Sequence, residues 1–444
     1  MSPRASGCRP AGTTRRRLLT GAAGMAATAL GAPAGAQGPV TLRFLWWGGS
    51  DRHARTLKAL QAFEAGHPGL RVKAEYMGFN GYLEKLTTQM VGGTEPDLLQ
   101  INWAWLAMFS RQGTGFLDLN AHQASLPLVD YTPDDLALCT VQGKLNGLPL
   151  SYTARVFLWN TAAFQRAGLA PPSGWDELYA AGPVFKQRLG ERAYPIDGEP
   201  YDMLLLAQTY IQQRHGTPYL HPSEPRVAMS REVLVEWVQT FERLYASGTA
   251  TPVPYRASLG GAEKPIEQQP DWVVGRWAGN YTWDSAIRLR QSTLDAAQRL
   301  DVGDFLTLPG ARTSGMFGRP ALLFSVSKHT KHPEAAVALL RYLSASPEAA
   351  ALLGVTRGIP SAATARAALE RAGALPALER KAAEQIRQQR EAGRLELPAM
   401  RFEDARFRRL LREVFERVAY RRISAPDAAQ RLLDEGNALS RKIR

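Results

Sequence analysis

The sequence predicts an α/β protein built in two domains. Three observations carry this. The 444 residues exceed what one compact core supports. Strand and helix signals alternate from Val40 to Phe109, which means βαβ units and a mainly parallel sheet. A second alternating region begins near residue 150.

Val40 to Trp46 reads as a strand, and Ser50 or Asp51 is placed to cap the helix that follows. Leu57, Leu60 and Phe63 form that helix's apolar face, and "GHPG" ends it. "LRVKAEY" alternates at period two, as a half-buried strand does. "NGYLEKLTTQMVGG" is a capped helix with Leu83, Leu86 and Met90 inward, "PDLLQIN" a strand, and "WAWLAMFS" the start of another helix. In the second region "RVFLWN" is a strand, with Asn160 as cap for the next helix. "SGWDELYAAGPVFKQRLG" has Ser173 and Asp176 at capping-box spacing and Gly190 as a stop. Leu234, Trp237, Phe241 and Leu244 share one helix face. "GRWAGNYTW" runs from strand into turn, and "RPALLFSVSK" reads as one strand. Two short helices and a charge-rich helical region, 376–444, complete the chain.

Ahead of the alternation lies "TTRRRLLTGAAGMAATALGAPAGAQ". Arg15, Arg16 and Arg17 precede a short apolar stretch, Leu18 to Leu30, and Ala34-Gly35-Ala36 offers a small-residue cleavage site. The pattern predicts a cleaved twin-arginine export signal, residues 1–36, and a periplasmic protein. Its removal takes five arginines and lowers the net charge from +13 to +8, which still favours anionic partners. Cys8 goes with it, and Cys139 alone cannot form an internal disulfide. Basic residues do not interleave with aromatics on one stretch, so no nucleic-acid role is expected.

The sequence carries neither a GxSxG nor a P-loop pattern. Only His329 and His332 are close among seven histidines, and no third ligand lies nearby, so no metal and no cofactor is predicted. Asp197, Glu199 and Asp284 are candidate carboxylates for glycoside hydrolysis, though sequence cannot pair them. The positive signal is aromatic. Trp46-Trp47, Asn102-Trp103-Ala104-Trp105 and Asn280-Tyr281-Thr282-Trp283 all stand at the ends of predicted strands, where α/β sheets bind ligands. Aromatic faces with convergent polar groups suit sugar rings.

The segments "VTLRFLWWGG", "LKALQAFEAGHPGLRVKAEY", "LTTQMVGGTEPDLLQIN", "ARVFLWNTAAFQRAGL", "WDELYAAGPVFK", "VSKHTKHPEAAVALLRYL" and "GIPS" resemble, in content and order, the solute-binding proteins of carbohydrate ABC transporters, the family of maltose-binding protein. "WWGG…RH…TLKALQAF", "GGTEPDLLQINWAWL" and "GKLNGLPLSYTARVF" are similar, more closely, to the oligogalacturonide-binding proteins of pectin-using bacteria. The resemblance implies the two-lobed, type II periplasmic-binding fold with a ligand cleft between lobes. Residues 40–148 plus 310–358 would form the N-terminal lobe, and 151–305 plus 361–444 the C-terminal lobe. The chain would cross near Leu150, Leu308 and Pro360. Gly48 and Gly49 would turn the backbone tightly toward the ligand, with Trp47 as a stacking wall and Trp46 pointing into the lobe. The ligand set would be Trp47, Ser50, Asn80, Asn102, Trp103, Tyr152, Arg155, Asn280, Tyr281, Trp283, Phe317, Arg319 and Arg401. Arg155 is placed to grip a uronate carboxylate. The implied partners are an oligosaccharide and the permease subunits of an inner-membrane ABC importer, the protein itself being a monomer. A neutral oligosaccharide or a glycerophosphodiester is the alternative ligand, and a secreted pectin-active enzyme the alternative of another class.

Overall fold

The computed structural model describes residues 38–261 and 264–443. The predicted export segment, with Arg15, Arg16, Arg17 and the cut after Ala36, lies outside the described residues.

The described residues build two main sheets. The first has the order β2-β1-β3-β11-β6, from β1 (Val40–Trp47), β2 (Leu70–Met77), β3 (Leu98–Asn102), β6 (Leu148–Pro149) and β11 (Leu322–Val326). β1 runs parallel to β2 and β3, and helices α1 (Ser50–Gly66) and α2 (Tyr82–Gly92) make the crossovers. β11 closes the other side antiparallel to β3 and β6. β4 (Thr140–Val141) and β5 (Lys144–Leu145) form a small hairpin.

The second sheet centres on β7 (Tyr152–Asn160). It pairs antiparallel with β8 (Gly279–Trp283), β9 (Leu300–Gly303) and β10 (Gly318–Pro320). Among the described residues no parallel ladder forms here. Parallel contacts are reduced to isolated bridges, such as Asp197 to Asn280.

Each sheet carries its own hydrophobic core. The first draws on Leu42 to Leu150 and Leu323 to Leu375, and the second on Ala154 to Phe317 and Ala382 to Leu432. Trp159, Trp175 and Trp237 are all in the second core. The chain therefore passes between cores at Leu150–Ser151, at Ala321 and near Pro376. The second and third crossings differ from those expected at Leu308 and Pro360. "RPALLFSV" is one apolar run, yet it breaks at Ala321, and its two halves join different sheets. The helix Ala363–Arg371 stays with the first core through Ala365 and Leu369. The crossings hold one another. Ala321 N–H donates to Ser151 O at 2.9 Å and Leu150 N–H to Leu322 O at 2.9 Å. On the other side Ser361 N–H donates to Leu150 O at 3.0 Å, and Ser151 Oγ to Arg357 O at 2.6 Å.

Among the described residues no helix is long and apolar enough to cross a membrane. Local caps follow the sequence in part. Asn160 Oδ1 accepts from Ala163 N–H at 3.2 Å, as its position suggested. α1, however, is capped by Gly49, with no side-chain bond from Ser50 or Asp51. The helix Trp175–Leu189 starts after Gly174, and Ser173 bonds Glu177 rather than forming the box with Asp176.

Candidate functional site

The crossings at Ser151 and Ala321 border a cleft of about 590 Å³ between the two cores. One wall comes from the carboxyl ends of β1 and β3 and the start of α1, and the other from β7, β8 and the turn after β8. This is where a parallel sheet of this order offers a ligand its crevice.

The paired tryptophans separate by strand alternation. Trp46 is fully buried, stacks on Tyr76 at 5.0 Å and donates its Nε1–H to His53 Nδ1 at 3.1 Å. Trp47 lines the cleft, backed by Tyr82 at 4.7 Å and Trp105 at 5.2 Å. Phe79, mostly exposed, flanks it at 5.8 Å. The two glycines after Trp47 act differently from the expected tight turn. Gly49 has an ordinary extended backbone, with φ −92° and ψ 177°. Gly48 is needed for space, because a Cβ there would sit 2.5 Å from Arg52 Cδ.

Of the sequence-derived ligand set, the structure brings Trp47, Ser50, Asn102, Tyr152, Trp283 and Arg319 to the cleft lining. The others lie elsewhere. Asn80 is an exposed turn residue outside the lining. Trp103 is buried and donates Nε1–H to Leu138 O at 2.8 Å. Tyr281 and Phe317 are core residues, packed at a tilt against Phe157 and Phe402 respectively. Asn280 is buried and donates to Asp197 O at 2.9 Å. Arg401 donates to the carbonyls of His221 and Glu224 and is not part of the cleft lining.

Arg155 also sits behind the wall. Its side chain is 5% exposed, and Nη2 pairs with Asp202 Oδ1 at 2.7 Å. Nη1 donates to Tyr281 O at 3.1 Å. The guanidinium lies 5.3 Å from the Trp283 ring, and Arg319 lies 4.9 Å from the same ring. Arg155 thus fixes Trp283 rather than facing the cleft, and Asp202, 47 residues away in sequence, takes the place expected for a ligand carboxylate.

Sequence reasoning missed Arg52, Phe79, Asp284 as a cleft residue, Arg288, Arg357 and Glu379, which all line the cavity. Only "TRGIP", a charge just before an expected crossing, hinted at Arg357. Burial pulls the Arg52 pKa down to about 10. Burial, with Arg52 as a neighbour, pulls Arg357 well below its usual value. Burial pushes the Asp284 carboxyl up to about 6, against the bond it accepts from Thr153 Oγ1. Of the other carboxylates considered for hydrolysis, Asp197 and Glu199 both pair with Arg256 and do not line the cleft.

Known proteins place this architecture. A periplasmic oligogalacturonide-binding protein from Yersinia enterocolitica, solved with saturated digalacturonic acid, is 36% identical with a TM-score of 0.83, covering 91% of this chain and 99% of that one. A Brucella abortus (strain 2308) protein, whose name specifies binding alone, is 34% identical over 203 residues, 43% of this chain and 46% of that protein. The match thus spans about half the length of that curated relative. An uncharacterized ABC transporter extracellular-binding protein from Pyrococcus horikoshii is 26% identical over 163 residues, 36% of this chain and 38% of its own length. The family model for bacterial extracellular solute-binding proteins matches residues 50–351. With its two-lobed α/β fold and interlobe cleft, the chain belongs to the bacterial extracellular solute-binding protein family.

Proposed function

We propose that this chain is the exported binding component of an ABC importer and that it carries a short acidic oligosaccharide of the oligogalacturonide class. The cleft composition supports the reading most. Trp47, Trp283 and Phe79 offer ring faces for sugars, and four guanidinium groups, Arg52, Arg288, Arg319 and Arg357, stand among them. Of the three lining carboxylates, Asp51 pairs with Arg55 at 2.9 Å, Asp284 keeps its proton up to about pH 6, and Glu379 stands without an ion-pair partner among the described residues, so four guanidinium groups face three carboxyl groups. The relatives from Yersinia and Pyrococcus support the ligand class and the permease partner respectively. The twin-arginine segment supports export to the periplasm. On this reading the lobes close over the sugar by bending at the three crossings, and the closed form presents itself to the permease.

Titration calorimetry tests the ligand class. Digalacturonate should bind, and the neutral galactose disaccharide should bind at least tenfold more weakly. A preference for the neutral sugar refutes the acidic reading and leaves a neutral-sugar carrier. Turnover of digalacturonate by the purified protein would instead favour a secreted pectin-active enzyme.

A further inference from the structure

Two of the cleft arginines face each other without a counter-ion. Arg52, the third residue of α1, lays its stem over Gly48. Its Nε and Nη2 donate to Thr356 O at 3.0 and 2.6 Å, and Nη1 to Trp47 O at 3.0 Å. Arg357 follows that same Thr356 and is 8% exposed. Its Nε donates to Gln100 Oε1 at 2.7 Å, and Gln100 Nε2 donates onward to Trp47 O at 3.2 Å. Both Nη atoms of Arg357 are buried and have no hydrogen-bond partner. Among the described residues no carboxylate pairs with it, and the charged side chain acting on it is Arg52.

A fold does not usually keep buried charged donors unmet, since each forfeits its hydration without replacement. Here the donors belong to a residue that lines the ligand cavity. The amino end of α1 borders the same place. Gly49 supplies no capping side chain, so the first-turn amides of this 17-residue helix are left for another acceptor. Asp51, in that first turn, is turned to Arg55. Arg319 is already engaged, with Nε on Glu403 at 3.3 Å and Nη1 on Pro320 O at 3.1 Å.

We infer that Arg357, Arg52 and the amino end of α1 form a subsite for one carboxylate of the ligand, held by the first lobe at the cleft floor and reached when the covered Nη groups of Arg357 are uncovered. This rests on the acidic-oligosaccharide reading. A planar guanidinium with both Nη groups free meets a carboxylate through two parallel bonds. The anion also neutralises a repulsive cationic pair, so binding relieves a cost present in the empty protein. Neutral sugars gain nothing there.

The test uses Arg357→Met and Arg357→Lys beside the parent, with titration calorimetry against digalacturonate, the neutral galactose disaccharide and inorganic phosphate. Ligand-free thermal melts accompany each. Expected for Arg357→Met are a loss of about thirtyfold or more in digalacturonate affinity, unchanged neutral-sugar binding, and a melt within about 2 °C of the parent or above it. Arg357→Lys should recover part of the affinity. If the parent binds digalacturonate and both variants bind it equally well, the subsite is overturned and the acidic reading stands. If the parent prefers the neutral sugar, that reading falls and the subsite with it. Phosphate binding as tight as digalacturonate, and lost in Arg357→Met, would replace the uronate by a free anion. Melts far below the parent in both variants would make Arg357 structural and overturn the subsite.

Discussion

Replacing Arg155 by alanine is expected to damage the fold rather than the ligand contact. The substitution strips Asp202 of a 2.7 Å partner and Tyr281 O of a 3.1 Å donor, and it removes the cation beneath Trp283. Breaking a buried ion pair from one side typically costs about 3 to 5 kcal/mol. The Asp202 side chain is 25% exposed, so water repairs part of the loss. Arg155 Nε has no partner, so removing it also recovers a little. Both effects point to the low end, about 3 kcal/mol. For a lobe unfolding as its own unit, each kcal/mol moves the midpoint by roughly 2 to 4 °C, giving a drop of about 6 to 12 °C. Differential scanning calorimetry of the ligand-free variant measures it. Digalacturonate affinity should fall less than in Arg357→Met, through a loosened Trp283 alone. A variant that melts with the parent yet loses binding would mean that Arg155 meets the ligand directly, and the argument from its burial would be refuted.

Other expectations follow from the cleft and the cores. The Asp284 carboxyl titrates near 6, above its unfolded value, so its ionisation costs stability as pH rises from about 4 through 6. Ionised, it also repels a uronate, so digalacturonate binding should weaken between pH 5 and 7, and calorimetry of Asp284→Asn should show that slope flattened. Gly48→Ala sets a methyl against the Arg52 stem, which must move; digalacturonate affinity should drop several-fold with little change in melting, and parent-like affinity would argue against any role for the Arg52 position. Trp283→Ala should weaken acidic and neutral disaccharides by similar factors, since stacking ignores the carboxylate, and a selective loss of one would contradict this. Cys139 is fully buried and its thiol pKa is pushed up, so a thiol reagent should react only in denaturant.

The first lobe's β1-α1-β2-α2-β3 order was legible because its periods of 2 and 3.6 are clean and glycines punctuate them. The opposite fates of Trp46 and Trp47 were legible for the same reason, since neighbours on a strand face opposite ways. "RPALLFSV" was not, because a continuous apolar run has no mark where it changes sheets. The antiparallel second sheet was hidden because strand periodicity does not state pairing direction. Arg155 reads the same whether it meets a ligand or Asp202, and only the fold brings Asp202 beneath β7. Arg52 and Arg357 stand 305 positions apart in sequence, and no local pattern links a helix start to a crossing.

The interleaving of the two cores also sets the order in which the chain can fold. β3 lies against β11, so its exposed edge waits for residues more than 200 positions later in synthesis. The second core closes only when the helices Ala405–Ala419 and Ala425–Lys442 arrive. Until then the emerging chain carries apolar strands with open edges, and closing such long loops is slow. Neither lobe is an early, self-sufficient unit. The newborn polypeptide stays loose and adhesive through most of its translation, and both lobes become complete only in its final stretch.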